Sequence, residues 1–161
     1  MTTLPPLRDP GFIHLRARSD YSLLQSTLDV KKLVKLAVAQ GMPALGLTDS
    51  NNLCGALEFS ELCAEKGVQP IIGCTLTVEA GPGQGGSLAV LAQSERGYGA
   101  LMRLSSKAFL SAASPSEARI TLQDLLDDPE GLICLTGGAE GLIGQVLLGS
   151  KPEEAGPLLQ T

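Results

Sequence analysis

The chain has no tryptophan, a single histidine and only 3% aromatic residues, so its core has to be built from Leu, Val, Ile and Ala. It also lacks an excess of basic residues. A net charge of −5 argues against a dedicated nucleic-acid grip, which needs a positive face, so any DNA contact is expected to come from a larger assembly. The four cysteines (Cys54, Cys63, Cys74 and Cys134) form no C-x-x-C pair, which removes zinc-ribbon spacing. No apolar run approaches the roughly 18 residues of a membrane span. The opening ten residues are polar and proline-rich, unlike a secretory leader. The thiols therefore read as reduced and mostly packed as small hydrophobes, in a chain expected to be soluble and cytoplasmic.

What is present is a rhythm of strands and helices. Residues 12–17 form a strand candidate in which His14, Arg16 and Arg18 alternate with Ile13, Leu15 and Ala17. Asp29 is placed to cap a helix running to about Gln40, with Val30, Leu33, Val34 and Ala37 on one face. Gly41 ends it and Pro43 blocks its continuation. Residues 44–48 make a second, almost wholly apolar strand, and a helix is expected from Asn52 to Gly67. Residues 70–78 and 87–92 read as further strands, separated by a flexible GPGQGG loop at 81–86. A long helix over 95–112, a short one opened by Thr121, a strand over 131–135, a Gly137-Gly138 turn and a helix over 140–148 complete the series. Such alternation predicts parallel βα units. A barrel and an open doubly wound sheet both fit it.

Several conspicuous features read as ordinary. The GPGQGG and TGGAEG segments lack the Lys-Ser/Thr of a phosphate-binding loop and read as turns. Lys31, Lys32 and Lys35 form a basic stripe typical of the wet side of a helix. Asp127-Asp128 and Glu153-Glu154 read as surface charge. His14, alone on a mostly apolar strand, is expected to be a hydrogen-bonded core residue.

Three segments carry a specific likeness: residues 12–22 (FIHLRARSDYS), 41–55 (GMPALGLTDSNNLCG) and 67–78 (GVQPIIGCTLTV). In that order and spacing they resemble the PHP domain that opens the alpha subunit of bacterial DNA polymerase III. The likeness continues through 87–106 and 131–144. It implies an α/β fold, a PHP-type TIM-like βα barrel, with residues 1–161 forming the N-terminal part of one PHP domain and the polymerase domains lying elsewhere. A barrel interrupted after about five strands would expose an edge and invite self-association.

The resemblance further implies a metal cluster at the C-terminal ends of the strands, used by metal-binding relatives for phosphoester hydrolysis. Here the implied ligand positions are largely replaced. Paired histidines on the first strand become Arg16 and Arg18, and an Asp-His pair becomes Asp49-Ser50. Thr75 stands for a glutamate, Ser87 for a histidine and Gln25 for an acid. With His14, these residues make a vestigial site for which no metal or cofactor is expected. A guanidinium stays protonated and has no lone pair to give. Asp49 would then need a counter-ion, and an ion pair with Arg16 or Arg18 is expected. Solvated arginines, or arginines holding an anion from solvent, are the alternatives weighed.

The function implied by the likeness is a non-catalytic scaffold in DNA replication, docking the proofreading exonuclease (epsilon) subunit beside the polymerase domains of the parent chain. Nucleotide addition would be carried by carboxylates outside these residues. An active metal-dependent phosphoesterase or 3′–5′ exonuclease is the competing reading. A free-standing anion-binding module is the third.

Overall fold

The computed structural model describes residues 11–81, 84–149 and 152–159; the polar opening of the chain lies outside them. Helix α1 (Val30–Ala39) starts where the Asp29 carboxylate accepts the Lys32 amide at 2.7 Å. Its buried stripe is Val30, Leu33, Val34 and Ala37, as the periodicity predicts, and Gly41 leaves it at φ +67°. Strand β1 (Ala44–Ser50) is buried along almost its whole length. Helix α2 (Ala56–Lys66) begins four residues later than expected. The Asn52 side chain instead builds a turn: Oδ1 accepts the Cys54 amide at 3.1 Å while Nδ2 donates to the Ser50 and Tyr21 carbonyls.

Strands β2 (Gln69–Gly81) and β3 (Gln84–Ala92) follow, then the long helix α3 (Glu95–Leu110), capped by the Ser94 hydroxyl. A two-residue strand β4 (Ile120–Thr121) leads into α4 (Leu122–Leu126), where Thr121 and Asp124 form a reciprocal capping box. Strand β5 (Leu132–Leu135), helix α5 (Leu142–Leu148) and helix α6 (Ala155–Leu159) end the described chain. Among the described residues, no helix is long and apolar enough to cross a membrane.

The sheet runs β1-β2-β3-β5, with β4 taking the far end of β2. Two expectations change here. The connection from β2 to β3 is a hairpin, and its strands are antiparallel, from Gly73↔Leu91 to Gly81↔Gln84. The glycines at 81–86 are therefore mainly part of the ladder, because a glycine-rich segment between two apolar runs lets the chain reverse tightly. Strand β3 also opposes β5, so β3 alone runs against β1, β2, β4 and β5.

Residues 12–17 do not form a regular strand. Only Ala17 bridges Leu47, in parallel. The backbone bends at Leu15 directly over Gly46, where a Cβ would lie 2.6 Å from the Leu15 carbonyl oxygen. Gly46 N–H donates to His14 at 2.7 Å and Thr48 N–H to Ala17 at 2.7 Å, so the segment still lies beside β1.

Partners in register share a face of the sheet. Leu45, Leu47 and Asp49 therefore lie with Ile72, Cys74, Leu76 and Val78, and with Leu88 and Val90 of β3. That face carries both cores. One joins β1 to α1 and α2 through Leu45, Leu47, Val34, Phe59 and Cys63; the other joins β2 and β3 to α3 through Leu76, Val90, Leu101 and Leu104. Phe59, Leu76 and Leu101 have no exposed surface, and burying each contributes about 1.5–3 kcal/mol. The opposite face carries Ile71 and Leu91 and, besides them, the small residues Gly46, Thr48, Ser50, Gly73, Thr75, Thr77, Ser87 and Ala89. These small residues suit a concave wall: a Cβ on Gly73 would meet Leu91, Val90 and Thr48 within 3 Å.

Candidate functional site

The C-terminal rim of the parallel strands gathers the loop that follows residue 18, the end of β1, and the turn after β5. From the first segment through β1, β2 and β3 to β5 there are four inter-strand steps, about 19 Å across a flat sheet. Yet Arg16 Nη1 donates to the Gly137 carbonyl, just past β5, at 3.2 Å, and Nη2 lies 3.6 Å from Glu140. One side chain spans both ends of the path only because the sheet is strongly curled. Arg16 is thus a strut across the concave rim.

Arg18, Gln25 and Ser50 come together beside it. Gln25 Oε1 accepts from Arg18 Nη1 at 3.0 Å and from Ser50 Oγ at 2.6 Å. Thr75, opposite Ser50 in register, is buried and donates to the Thr48 carbonyl at 2.9 Å. Ser87 pairs with Thr77 on the same concave face. His14 is exposed, with its ring edge-on to Phe12 at 4.7 Å, so the expected core histidine is not found.

Asp49 departs furthest from expectation. It is 2% exposed and forms no ion pair with Arg16 or Arg18. Its carboxylate accepts from the Ser19 amide at 2.7 Å, the Ser19 hydroxyl at 2.7 Å and the Ser22 hydroxyl at 2.5 Å. The reason is parity. Ala17 faces the same way as its partner Leu47, and so does Asp49 two residues on, whereas Arg16 and Arg18 point to the other side. The arginines and the carboxylate are therefore separated by the sheet. Charge-assisted bonds from serine replace the expected cation. Beside it, burial and then the nearby Asp49 charge push the Cys74 thiol up to about 12, and its Sγ donates to the Asp49 carbonyl.

Sequence reasoning passed over Ser19 and Ser22. Asn51 holds a left-handed backbone (φ +54°) and ties the rim together. Its side chain donates to Thr77 and the Ala118 carbonyl and accepts the Thr77 amide, while its carbonyl accepts from Ser105 of α3. A left-handed site between strand and helix is where asparagine is favoured, which is the only advance signal. The rim opens into a cleft of about 470 Å³ walled by Tyr21, Leu23, Gln25, Ser50, Asn51 and Phe109.

As a donor set, the concave rim offers two guanidinium groups, hydroxyls, the amides of Gln25 and Asn51, and the single carboxylate of Glu140. Among the described residues, no group of three or more His, Cys, Asp or Glu side chains converges. The residues at the implied ligand positions do not fit a divalent cluster, which needs several convergent imidazoles or carboxylates.

A curled βα sheet with its polar residues gathered at the C-terminal rim defines a partial TIM-like barrel. The PHP domain model matches residues 14–161. The chain belongs to the PHP domain family. It is 42% identical over 156 residues to the DNA polymerase III subunit alpha of Caulobacter vibrioides, covering 92% of this chain and 14% of that protein. The likeness to the Escherichia coli DNA polymerase III subunit alpha is 38% over 144 residues, 88% of this chain and 12% of that one. In both cases it falls on the N-terminal region. The chain thus spans about one seventh or less of the length of these relatives. Among solved structures, an amidohydrolase from Chromobacterium violaceum, with bound sulfate and no metal, superposes with a TM-score of 0.51. It is 20% identical and covers 62% of this chain and 34% of that one, a likeness of fold.

Proposed function

We propose that this chain is a non-catalytic PHP module of a bacterial replicative DNA polymerase, serving DNA replication as a scaffold that docks the proofreading exonuclease subunit beside the polymerase domains. The observation that carries this reading is the Arg18–Gln25–Ser50 cluster, in a chain similar over nine tenths of its length to polymerase alpha subunits. Three of the implied ligand positions satisfy one another, and two fixed cations line the rim, so recruiting Zn²⁺ or Mn²⁺ there would meet electrostatic opposition. The same rim makes a rigid platform, since the contacts of Arg16, Ser50, Thr75 and Asn51 join separate elements. Docking an exonuclease on it would act by raising local concentration, without chemistry of its own.

Two measurements test this. Metal analysis of the purified chain, with assays for phosphoester and 3′–5′ exonuclease hydrolysis with and without chelator, is expected to give sub-stoichiometric metal and no chelator-sensitive activity. Stoichiometric zinc or manganese with such activity would replace this reading by the phosphoesterase one. Titration of the exonuclease subunit against the full polymerase chain is expected to show saturable binding that is lost when residues 1–161 are deleted. Binding that survives the deletion removes the docking role.

A further inference from the structure

The loop after Arg18 presents two adjacent leucines to solvent, Leu23 at 79% and Leu24 at 106% exposure. It is not a slack loop. Gln25 and Ser26 amides both donate to the Ser22 carbonyl, the Asp20 amide donates to Leu28, and the Ser26 hydroxyl donates to the Arg18 carbonyl. Beneath it, Ser19 and Ser22 are buried and fastened to Asp49, while Gln25 is held by Arg18 and Ser50. Leu24 sits at φ +61°, a left-handed conformation that leucine rarely adopts. A fully exposed apolar side chain is thus carried on a strained and heavily anchored backbone. Strain of this kind persists where the surroundings over-determine it, and it concentrates at active sites, ligand clamps and switch regions. A backbone fixed in advance also loses little freedom when its side chains are buried.

We propose that Leu23 and Leu24 form a preorganised plug that seats in an aliphatic pocket on another part of the same polypeptide, the polymerase portion. The proposal rests on the reading above that such a portion exists. What favours this occupant is length: relatives matched over nine tenths of this chain are about seven times longer, so most of such a chain lies outside the structure, available to cover the plug. The plug borders the cleft at the rim, and seating it would also close the side of that cleft formed by Tyr21 and Leu23.

The test uses the full-length polymerase chain with a photo-crosslinking phenylalanine analogue at position 24. Irradiated alone and dilute, it is expected to give an intramolecular adduct joining position 24 to a residue of the polymerase portion, whereas an adduct to the remainder of the PHP domain overturns the inference. An adduct between two copies, an adduct formed only after the exonuclease subunit is added, or none at all overturns the inference. None of these outcomes touches the metal and deletion tests of the function itself. A second readout is Leu24→Asn, because asparagine tolerates the left-handed backbone. Amides 22–26 of the full chain are expected to exchange roughly tenfold faster in this variant, as loss of about 1.4 kcal/mol of contact would give. Unchanged or slower exchange means that Leu24 stays in water, and the plug is abandoned.

Discussion

Arg18 and Ser50, 32 residues apart in sequence, donate to the same atom, Oε1 of Gln25, at 3.0 and 2.6 Å. A neutral amide thereby links two positions that in metal-binding relatives would be expected to face a cation together. Gln25→Leu removes the shared acceptor and is expected to cost about 0.5–1.5 kcal/mol, since the site is partly wet. Gln25→Glu is expected to be neutral or stabilising by up to about 1 kcal/mol, through a charge-assisted bond to Arg18. Urea unfolding of both variants measures the difference. A Glu variant less stable than the Leu variant would show that the link does not matter.

The buried carboxylate gives a larger effect. Asp49→Ala strands the Ser19 amide and two serine hydroxyls in a dry site, at an expected cost of about 3–4 kcal/mol. Arg16→Ala and Arg18→Ala are expected to cost less than about 1 kcal/mol each, being partly solvated. Denaturant midpoints for the three variants decide it. Equal losses for Asp49 and either arginine would point to the ion pair that the structure replaces with serines.

The buried thiols predict an alkaline limit to stability. Burial pushes Cys63 to about 11 and Cys74 to about 12, from the ordinary 9.0. The folded chain keeps protons that the unfolded chain releases, so their contribution is full below pH 9 and is lost as pH rises toward 11–12. Thermal midpoints between pH 8 and 11 are expected to fall, and less steeply in Cys74→Ala. At pH 8, a disulfide reagent is expected to label exposed Cys54 while Cys63 and Cys74 stay protected. Rapid labelling of all the thiols would contradict this.

Much of the architecture could be read in the sequence because local signals agreed with it. Asp29 caps α1, Thr121 caps α4, and the glycines at 41 and 67 end their helices in left-handed geometry, as their chemistry requires. The candidate site was legible by position but not by direction. Which face Asp49 occupies depends on the Ala17↔Leu47 bridge, a pairing across thirty positions that no local pattern encodes. A shift of one residue reverses every side chain of a strand. The serines at 19 and 22 went unread for the same reason: their role exists only once the loop is folded onto β1. The reversal of β3 was available in the glycine-rich turn, yet the strand-helix rhythm suggested parallel crossovers, and β3 is the exception to that rhythm.

That reversal also bears on how the chain finds its fold. The β2–β3 pair closes across the two residues between Gly81 and Gln84, whereas β1 can meet β2 only after α2 and its flanking turns have compacted between them. Contacts between sequence neighbours cost the least loop entropy and form first. In a kinetic φ-value comparison, Leu76→Ala and Leu88→Ala are expected to slow folding, while Leu45→Ala is expected chiefly to speed unfolding. Similar values on both sides of the sheet would rule this order out. The single strand that runs against its neighbours thus completes, with β2, the hairpin on which the others assemble.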